Sequence, residues 1–129
     1  MVSVSSKMLT LVPFLVLGLS GCAEPGSARE CIDLALSQFN HQRYAEALEL
    51  CDRAIQLEPD RFEGYNMRAI VHQGLGDSQS SIDDWTKAIE LAPDDASRAS
   101  MFTCRSFAFD AIGDQMSRAK DLVEAERLK

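Results

Sequence analysis

The sequence predicts an all-α fold, a short α-solenoid of three helix-turn-helix repeats with six helices. The main observation is an internal repeat of 34 residues, in which one segment closely matches another further along the chain. The matching pairs are Ala54 and Ala88, Ile55 and Ile89, Leu57 and Leu91, Pro59 and Pro93, and Asp60 and Asp94. A fixed period of this length is typical of stacked helical hairpins that cannot bury their apolar faces singly. The second observation is that turn and capping residues recur along the chain.

Capping residues predict where the first and third helices begin. Ser27 and Glu30 have the spacing of a capping box at the start of the first helix, and Asp60 with Glu63 repeats it for the third. The first turn, near Gln42, contains no glycine. Its position is therefore predicted from the repeat offset alone.

Glycine and proline predict the later boundaries. Gly76 and Gly113 each precede an aspartate and end the first helix of the second and third hairpins. Pro59 and Pro93 end return helices, because proline lacks the N–H that a helix needs to continue. The predicted helices are 28–40, 44–57, 61–74, 78–91, 95–112 and 115–128.

The N-terminus has the organisation of a targeting segment. An apolar run of 12 residues from Met8 to Leu19 is too short to span a bilayer and suits a signal peptide. It ends in the tetrapeptide LSGC, which resembles the lipobox of bacterial lipoproteins. This resemblance implies that residues 1–21 are cleaved as a signal peptide and that Cys22 is lipidated. Residues 22–27 would then be a short tether to a membrane of the cell envelope.

Localisation has two predicted alternatives. Ala23 follows Cys22, in the place where inner-membrane lipoproteins of enteric bacteria have aspartate. By that analogy we expect the periplasmic face of an outer membrane. Cleavage after Ala23 would instead discard the cysteine and leave a soluble periplasmic or secreted protein.

Charge and length limit the classes of partner. The chain of 129 residues carries a formal net charge of −7. An acidic domain is repelled by phosphate backbones and anionic headgroups, so we expect no nucleic-acid partner and contact with the membrane through the lipid. Residues 28–129 are enough for one domain with a modest core.

These features together resemble the tetratricopeptide repeat family. The resemblance rests on small residues in the first helices, alanines in the second helices, terminal prolines and large residues in fixed columns: Ala35, Ala69, Ala47, Ala54, Ala88, Pro59, Pro93, Tyr65 and Trp85. It implies a right-handed solenoid with repeats at about 28–59, 60–93 and 94–129. The third repeat departs from the pattern, because Gly113 comes three residues late relative to Gly76.

The last predicted helix has an apolar stripe opposite a polar face. Its apolar residues are Met116, Ala119, Leu122, Val123 and Leu128. A solenoid needs a terminal helix whose outer face is polar. We therefore expect this stripe to pack inward and the array to be complete at three repeats, as a monomer or weak dimer.

No motif of a catalytic or metal site is recognisable in the sequence. His41 and His72 have no nearby residues at ligand spacing, so solvated or packed histidines are expected. The aspartate pairs at 83–84 and 94–95 lack the spacing of a calcium loop, and helix caps or an exposed acidic face explain them. We expect no catalytic residue, no metal and no cofactor.

Three cysteines follow Cys22 in the sequence. Cys31 and Cys51 occupy columns that usually hold aromatic residues in the family and that face the interior of the hairpin. In an envelope compartment they could form a disulfide, or they could be two small buried apolar residues. Cys104 would be the unpaired thiol.

The resemblance also implies a groove for a partner, lined by the first helices of successive hairpins. Carried over position by position, the groove residues are Ile32, Leu36, Phe39, Asn66, Ile70, Gln73, Ser100, Cys104 and Phe107. Some family members hold the terminal carboxylate of a peptide with basic and amide side chains. The positions that match that clamp carry neither a positive charge nor a carboxamide: Ile32, Leu36, Met67, Ser97 and Met101.

The sequence therefore predicts a protein-docking module that binds an apolar protein or peptide segment and is tethered to the cell envelope. One alternative is a dedicated assembly or pilot factor that escorts a single envelope component. An enzyme is a more distant alternative. The predicted groove would instead be shielded if the tether or a second copy of the chain covered it.

Overall fold

The computed structural model describes residues 24–129, which form six α-helices and contain no strand. The helices are α1 (Ala28–Asn40), α2 (Tyr44–Leu57), α3 (Phe62–Gly74), α4 (Ser78–Leu91), α5 (Asp95–Ala111) and α6 (Gln115–Arg127). Every boundary lies within one residue of its prediction, and the all-α fold is confirmed. The predicted signal peptide and Cys22 lie outside the described residues.

Aspartate and serine cap four of the helices. The Ser27 hydroxyl accepts a hydrogen bond from the Glu30 backbone N–H at 3.2 Å, as the capping box predicts. Three aspartates cap α4, α5 and α6 through the backbone N–H of a serine three residues later: Asp77, Asp94 and Asp114. The predicted cap of α3 by Asp60 is wrong, since the N-cap is Arg61 and no side chain caps that end.

The turns of all three hairpins use a left-handed residue at the same place. Gly76 has φ 77° and Gly113 has φ 80°, and both adopt this conformation without strain. In the first turn the matching residue is Gln42, with φ 61°. The first turn thus has the expected position. The left-handed conformation of Gln42 costs roughly 1 kcal/mol in backbone strain, which the glycines of the other two turns avoid.

The core is built from alanines that allow close helix packing. Consecutive helices pack against each other, and α1 also contacts α3. Five alanines that carried the repeat pattern are at most 2% exposed: Ala35, Ala47, Ala54, Ala69 and Ala88. Two glycines serve the same purpose, because a Cβ on Gly64 would lie 2.9 Å from Ile55 and one on Gly74 would lie 2.7 Å from Phe39.

An arginine ties each of the last two hairpins together. Arg68 on α3 donates two hydrogen bonds to Asp84 on α4, at 2.8 and 2.7 Å, and a third to Asp52 on α2 at 2.9 Å. Arg105 on α5 repeats the arrangement with Asp121 on α6, again at 2.8 and 2.7 Å. Its third bond reaches Thr86 on α4, at 2.9 Å. Each arginine therefore joins its own hairpin to the preceding return helix.

These arginine networks show that the third repeat is offset by 37 residues from the second, not by 34. Arg105 and Asp121 each lie 37 residues after their counterparts, as Gly113 does after Gly76. Ser106, which is 1% exposed, correspondingly occupies the place of Ala69. The three additional residues lie in α5, which is 17 residues long where α1 and α3 have 13, because α5 also begins one residue earlier relative to the 34-residue offset.

Cys31 and Cys51 are free thiols in the structure, not a disulfide. Both are fully buried, but they pack in different clusters. Cys31 lies with Ala28 and Ala54, whereas Cys51 lies with the α1 and α3 residues of a second cluster. Burial raises the pKa of Cys51 to about 12, which keeps the thiol protonated and unreactive. In the structure both are thus small buried side chains, and the disulfide stays a prediction.

The expected burial of the apolar stripe on the last helix is wrong. The residues that α6 buries are Asp121 and Ala125. Met116 is 71% exposed and Val123 is 66% exposed. The physical reason is the ion pair of Asp121 with Arg105, which turns that side of α6 inward and the stripe outward.

Candidate functional site

The predicted groove residues lie on the first helices α1, α3 and α5, and none of the nine is buried. Four are exposed, namely Leu36, Gln73, Ser100 and Phe107. The other five are partly exposed, namely Ile32, Phe39, Asn66, Ile70 and Cys104. Because α1 packs directly on α3, the residues of these two helices form one continuous surface.

Two groove residues are more closely tied to the core than the sequence indicates. Ile70 packs against both large core clusters, and so links the first hairpin to the second and third. Phe39 makes an edge-to-face contact with Tyr44, with ring centroids 5.6 Å apart, and lies against Gly74. Leu36, at 48% exposed, and Phe107, at 60%, are the large apolar side chains that a ligand can reach.

A hydrogen bond from a buried side chain fixes the orientation of the Asn66 amide. The indole N–H of Trp85, which is fully buried, donates to the Asn66 side-chain oxygen at 3.1 Å. A fixed carboxamide presents its N–H groups to a ligand carbonyl without losing rotamer freedom on binding. The sequence predicts Asn66 as a groove residue and Trp85 as a large repeat residue. It gives no sign of the hydrogen bond between them, since they are on different helices.

The 37-residue offset changes which α5 residues match the groove positions of α3. The counterparts of Asn66, Ile70 and Gln73 are Thr103, Phe107 and Asp110. Phe107 therefore stays in the groove at the position of Ile70. Ser100 and Cys104, placed there by the 34-residue offset, correspond instead to Glu63 and Met67. The late Gly113 was the sequence signal that could have revealed this shift.

The centre of the groove is uncharged and its two ends are polar. At one end, Arg61 contacts Glu63 at 2.6 Å, and its hydrogen bonds lower the pKa of that carboxyl. A small depression of about 80 Å³ lies there, lined by Arg29, Ile32, Glu58, Arg61 and Glu63. At the other end, Asp110 accepts from Gln115 at 2.9 Å and lies 3.5 Å from Arg118. The arginines at both ends are thus paired with acids.

The described residues contain no group of three or more His, Cys, Asp or Glu side chains that could hold a metal ion. His41 is exposed, and His72 lies between Asp77 and Asp84, at 3.8 and 3.7 Å, beside the Arg68 network. Among the helices of residues 24–129, none has the length and hydropathy to cross a membrane.

Comparison with known proteins identifies a family whose profile matches the chain and solved structures with the same fold. The sequence profile of the tetratricopeptide repeat family matches residues 34–102. A tetratricopeptide repeat protein 36 homolog from Nematostella vectensis is 43% identical over 49 residues, which is 38% of this chain and 27% of that protein. The chain thus spans about a quarter of that relative's length.

Several solved structures share the fold. The structure of MamA has a TM-score of 0.73 at 20% identity, with 79% of this chain and 58% of that one covered. The second tetratricopeptide repeat domain of Spaghetti, bound to the HSP90 peptide SRMEEVD, has a TM-score of 0.72 at 22% identity. That alignment covers 81% of this chain and 94% of the Spaghetti domain.

Proposed function

We propose that this chain, which belongs to the tetratricopeptide repeat family, is a non-enzymatic module that docks a partner protein or peptide in the groove of α1, α3 and α5. The family membership is the premise, because the family profile matches more than half of the chain. The observation that carries the proposal is the exposure of Leu36 and Phe107 on either side of an uncharged centre. A contiguous exposed apolar patch marks an interaction site, and the groove residues Leu36 and Phe107 are the exposed apolar part of such a surface.

The proposed ligand is an apolar segment, helical or extended. The groove offers Leu36 and Phe107 as anchors, with the Asn66 amide between them as a donor for a backbone carbonyl. Apolar anchors with a fixed central amide suit a segment that inserts side chains at regular spacing. Because no unpaired charge lies at the centre, binding should depend little on salt.

An acidic peptide that ends in a carboxylate is a poorer fit. The Spaghetti domain was solved with such a peptide, SRMEEVD. In this chain the positions matching the family's carboxylate clamp are Ile32, Leu36 and Met67, and the 37-residue offset adds Ser100 and Cys104 in place of Ser97 and the buried Met101. Without a basic residue the charge-assisted hydrogen bonds to a carboxylate are missing.

We further propose that a lipid on Cys22 tethers the module to the cell envelope, with the outer membrane favoured. The support is the LSGC tetrapeptide after the apolar run. The first described residues are held against the helices: Arg53 on α2 contacts Glu24 at 3.1 Å and the Pro25 carbonyl at 3.3 Å. A tether pinned in this way would keep the domain close to the membrane surface.

Leu36→Asp should reduce partner capture at least tenfold, because it places an unpaired charge against the apolar ligand. Leu36 is a better probe than Ile70, whose contacts with both core clusters would make a charge there unfold the domain. Affinity capture from solubilised envelope, with quantitative mass spectrometry, measures the effect. Leu57→Asp is the matched control, since Leu57 is 45% exposed on the return helix α2. Equal capture by wild type and Leu36→Asp would place the site elsewhere.

The same capture separates the docking module from the pilot factor. A dedicated escort should recover one dominant protein that depends on Leu36, whereas a general docking module should recover several. Recovery of a single protein would favour the second candidate.

Cys22→Ala should block lipidation and leave a larger, unprocessed precursor. The reason is that the thiol is the group that receives the lipid, and the peptidase acts only after that step in lipoproteins of this type. Gel mobility and mass spectrometry of the membrane fraction measure both effects. Normal processing of Cys22→Ala, with cleavage after Ala23, would support the secreted alternative instead.

A further inference from the structure

An exposed apolar stripe runs along one side of α6. On α6 it is formed by Met116, Ala119 and Val123, which follow each other at intervals of three and four residues. Met116 is 71% and Val123 66% exposed, and Ile112, which ends the preceding helix α5, is 49% exposed. The stripe forms the floor of a shallow depression of about 500 Å³ bordered by Lys120 and Glu124. Spacing of this kind is the pattern of a helix that packs against another helix.

The position of the stripe in the solenoid also indicates a helical partner. In the preceding repeats, α2 packs on α3 and α4 packs on α5. Ile82 and Trp85 of α4 form the buried core there, and their counterparts on α6 are Ala119 and Leu122. Within the described residues no helix covers α6 from that side. None of the described residues therefore covers the surface by which the earlier return helices contact the next helix.

We propose that the α6 stripe pairs with the α6 stripe of a second copy of this chain, about a two-fold axis. The opposite end of the solenoid excludes the head-to-tail alternative. At that end, α1 has no helix before it among the described residues. Its residues that match the α3 residues packed on α2 are Glu30, Asp33 and Ser37. All three are exposed and polar. An apolar stripe gains nothing on such a surface, whereas an isologous contact places apolar residues against apolar residues on both sides.

Charge favours the same pairing. Helix α6 contains three basic residues, Arg118, Lys120 and Arg127, and three acidic ones, Asp121, Glu124 and Glu126. It is therefore neutral in a chain with a net charge of −7. Two acidic molecules repel each other least where their surfaces are neutral. Of the two end helices, α6 is therefore the less repulsive, since α1 carries two acids and one arginine.

The area that two stripes can bury determines how tightly the dimer is expected to bind. Two stripes with their polar rims would bury roughly 1,000 Å², which is at the lower limit of specific interfaces. Ala119 in the middle allows close approach of the two helices, as alanines do inside the solenoid. The dimer is therefore weak and exchanges with monomer, and it leaves the groove of α1, α3 and α5 free.

Sedimentation equilibrium of the full chain between about 1 and 100 µM tests this pairing. Wild type should shift from monomer to dimer over that range, and Val123→Glu should raise the dissociation constant at least tenfold. Met116→Glu should do the same and should leave folding intact, because Met116 is the most exposed large apolar residue on α6. Leu57→Glu is the control that should still dimerise, and circular dichroism should show equal helicity for all four.

Two results would overturn the proposal. One is a wild-type protein that stays monomeric at about 100 µM, which would leave the stripe to a helix of another protein. The other is self-association that Val123→Glu and Met116→Glu do not weaken, as expected if the apolar segment from Met8 to Leu19 drives it. The groove variant Leu36→Asp should dimerise like wild type, so failure of this pairing and failure of the groove are distinguishable.

Discussion

Replacing Arg105 with leucine should lower the free energy of unfolding by about 3–5 kcal/mol, the cost of leaving a buried charge without its partner. The Asp121 side chain is 5% exposed, and each of its two oxygens accepts a hydrogen bond from the Arg105 guanidinium. The same guanidinium bonds Thr86 and lies over the rings of Phe102 and Phe109, at 5.3 and 5.5 Å. Urea unfolding followed by circular dichroism measures the change.

The first hairpin supplies the control for this prediction. Its residues at the places of the arginine and aspartate are Leu34 and Leu50, so the fold accepts an apolar pair there. Arg105→Leu combined with Asp121→Leu should therefore recover most of the lost stability. If the double variant were as unstable as Arg105→Leu alone, the loss would come from packing of the arginine and not from the unpaired carboxylate.

The prediction of six helices from sequence succeeded because the signals are local. Gly76, Gly113, Pro59 and Pro93 act on the backbone within a residue or two of their own position. The mistakes arose where a contact between distant residues decides the outcome. The pairing of Arg105 with Asp121 fixes how α6 is rotated, and no pattern within α6 alone reveals that its apolar stripe faces outward.

The groove itself stays a prediction, and its residue positions depend on the offset between repeats. The α1 and α3 positions given by the 34-residue offset are all at least partly exposed, because those two hairpins share one period. In α5 the three additional residues displace the matching positions, and Gly113 was the visible sign. The hydrogen bond from Trp85 to Asn66 joins residues on neighbouring helices, and a repeat pattern does not encode such contacts.

Trp85→Ala should be the most damaging single truncation in the core, with a loss of about 3–5 kcal/mol. Trp85 is the largest fully buried side chain, and it packs among residues of α3, α4 and α5. Its removal would leave a cavity at the junction of the second and third hairpins, which small neighbours such as Ala69 and Ala108 cannot fill. A drop in the unfolding midpoint in urea, without a change in helical content before the transition, is the expected result. A loss below about 1 kcal/mol would mean that the neighbouring helices collapse into the space.

Trp85→Phe separates this packing role from the positioning of the groove. Phenylalanine keeps most of the buried volume but cannot donate the hydrogen bond that holds Asn66, so the domain should stay folded while the amide gains rotamer freedom. Partner capture should then fall several-fold at nearly unchanged stability, and Asn66→Ala should give a similar loss that does not add to it. Full capture by Trp85→Phe would show that fixing the Asn66 amide contributes nothing to binding. Trp85→Ala should lose mainly stability, whereas Trp85→Phe should lose mainly partner binding. Comparing the two variants therefore tests whether the buried Trp85 fixes the surface that the partner contacts.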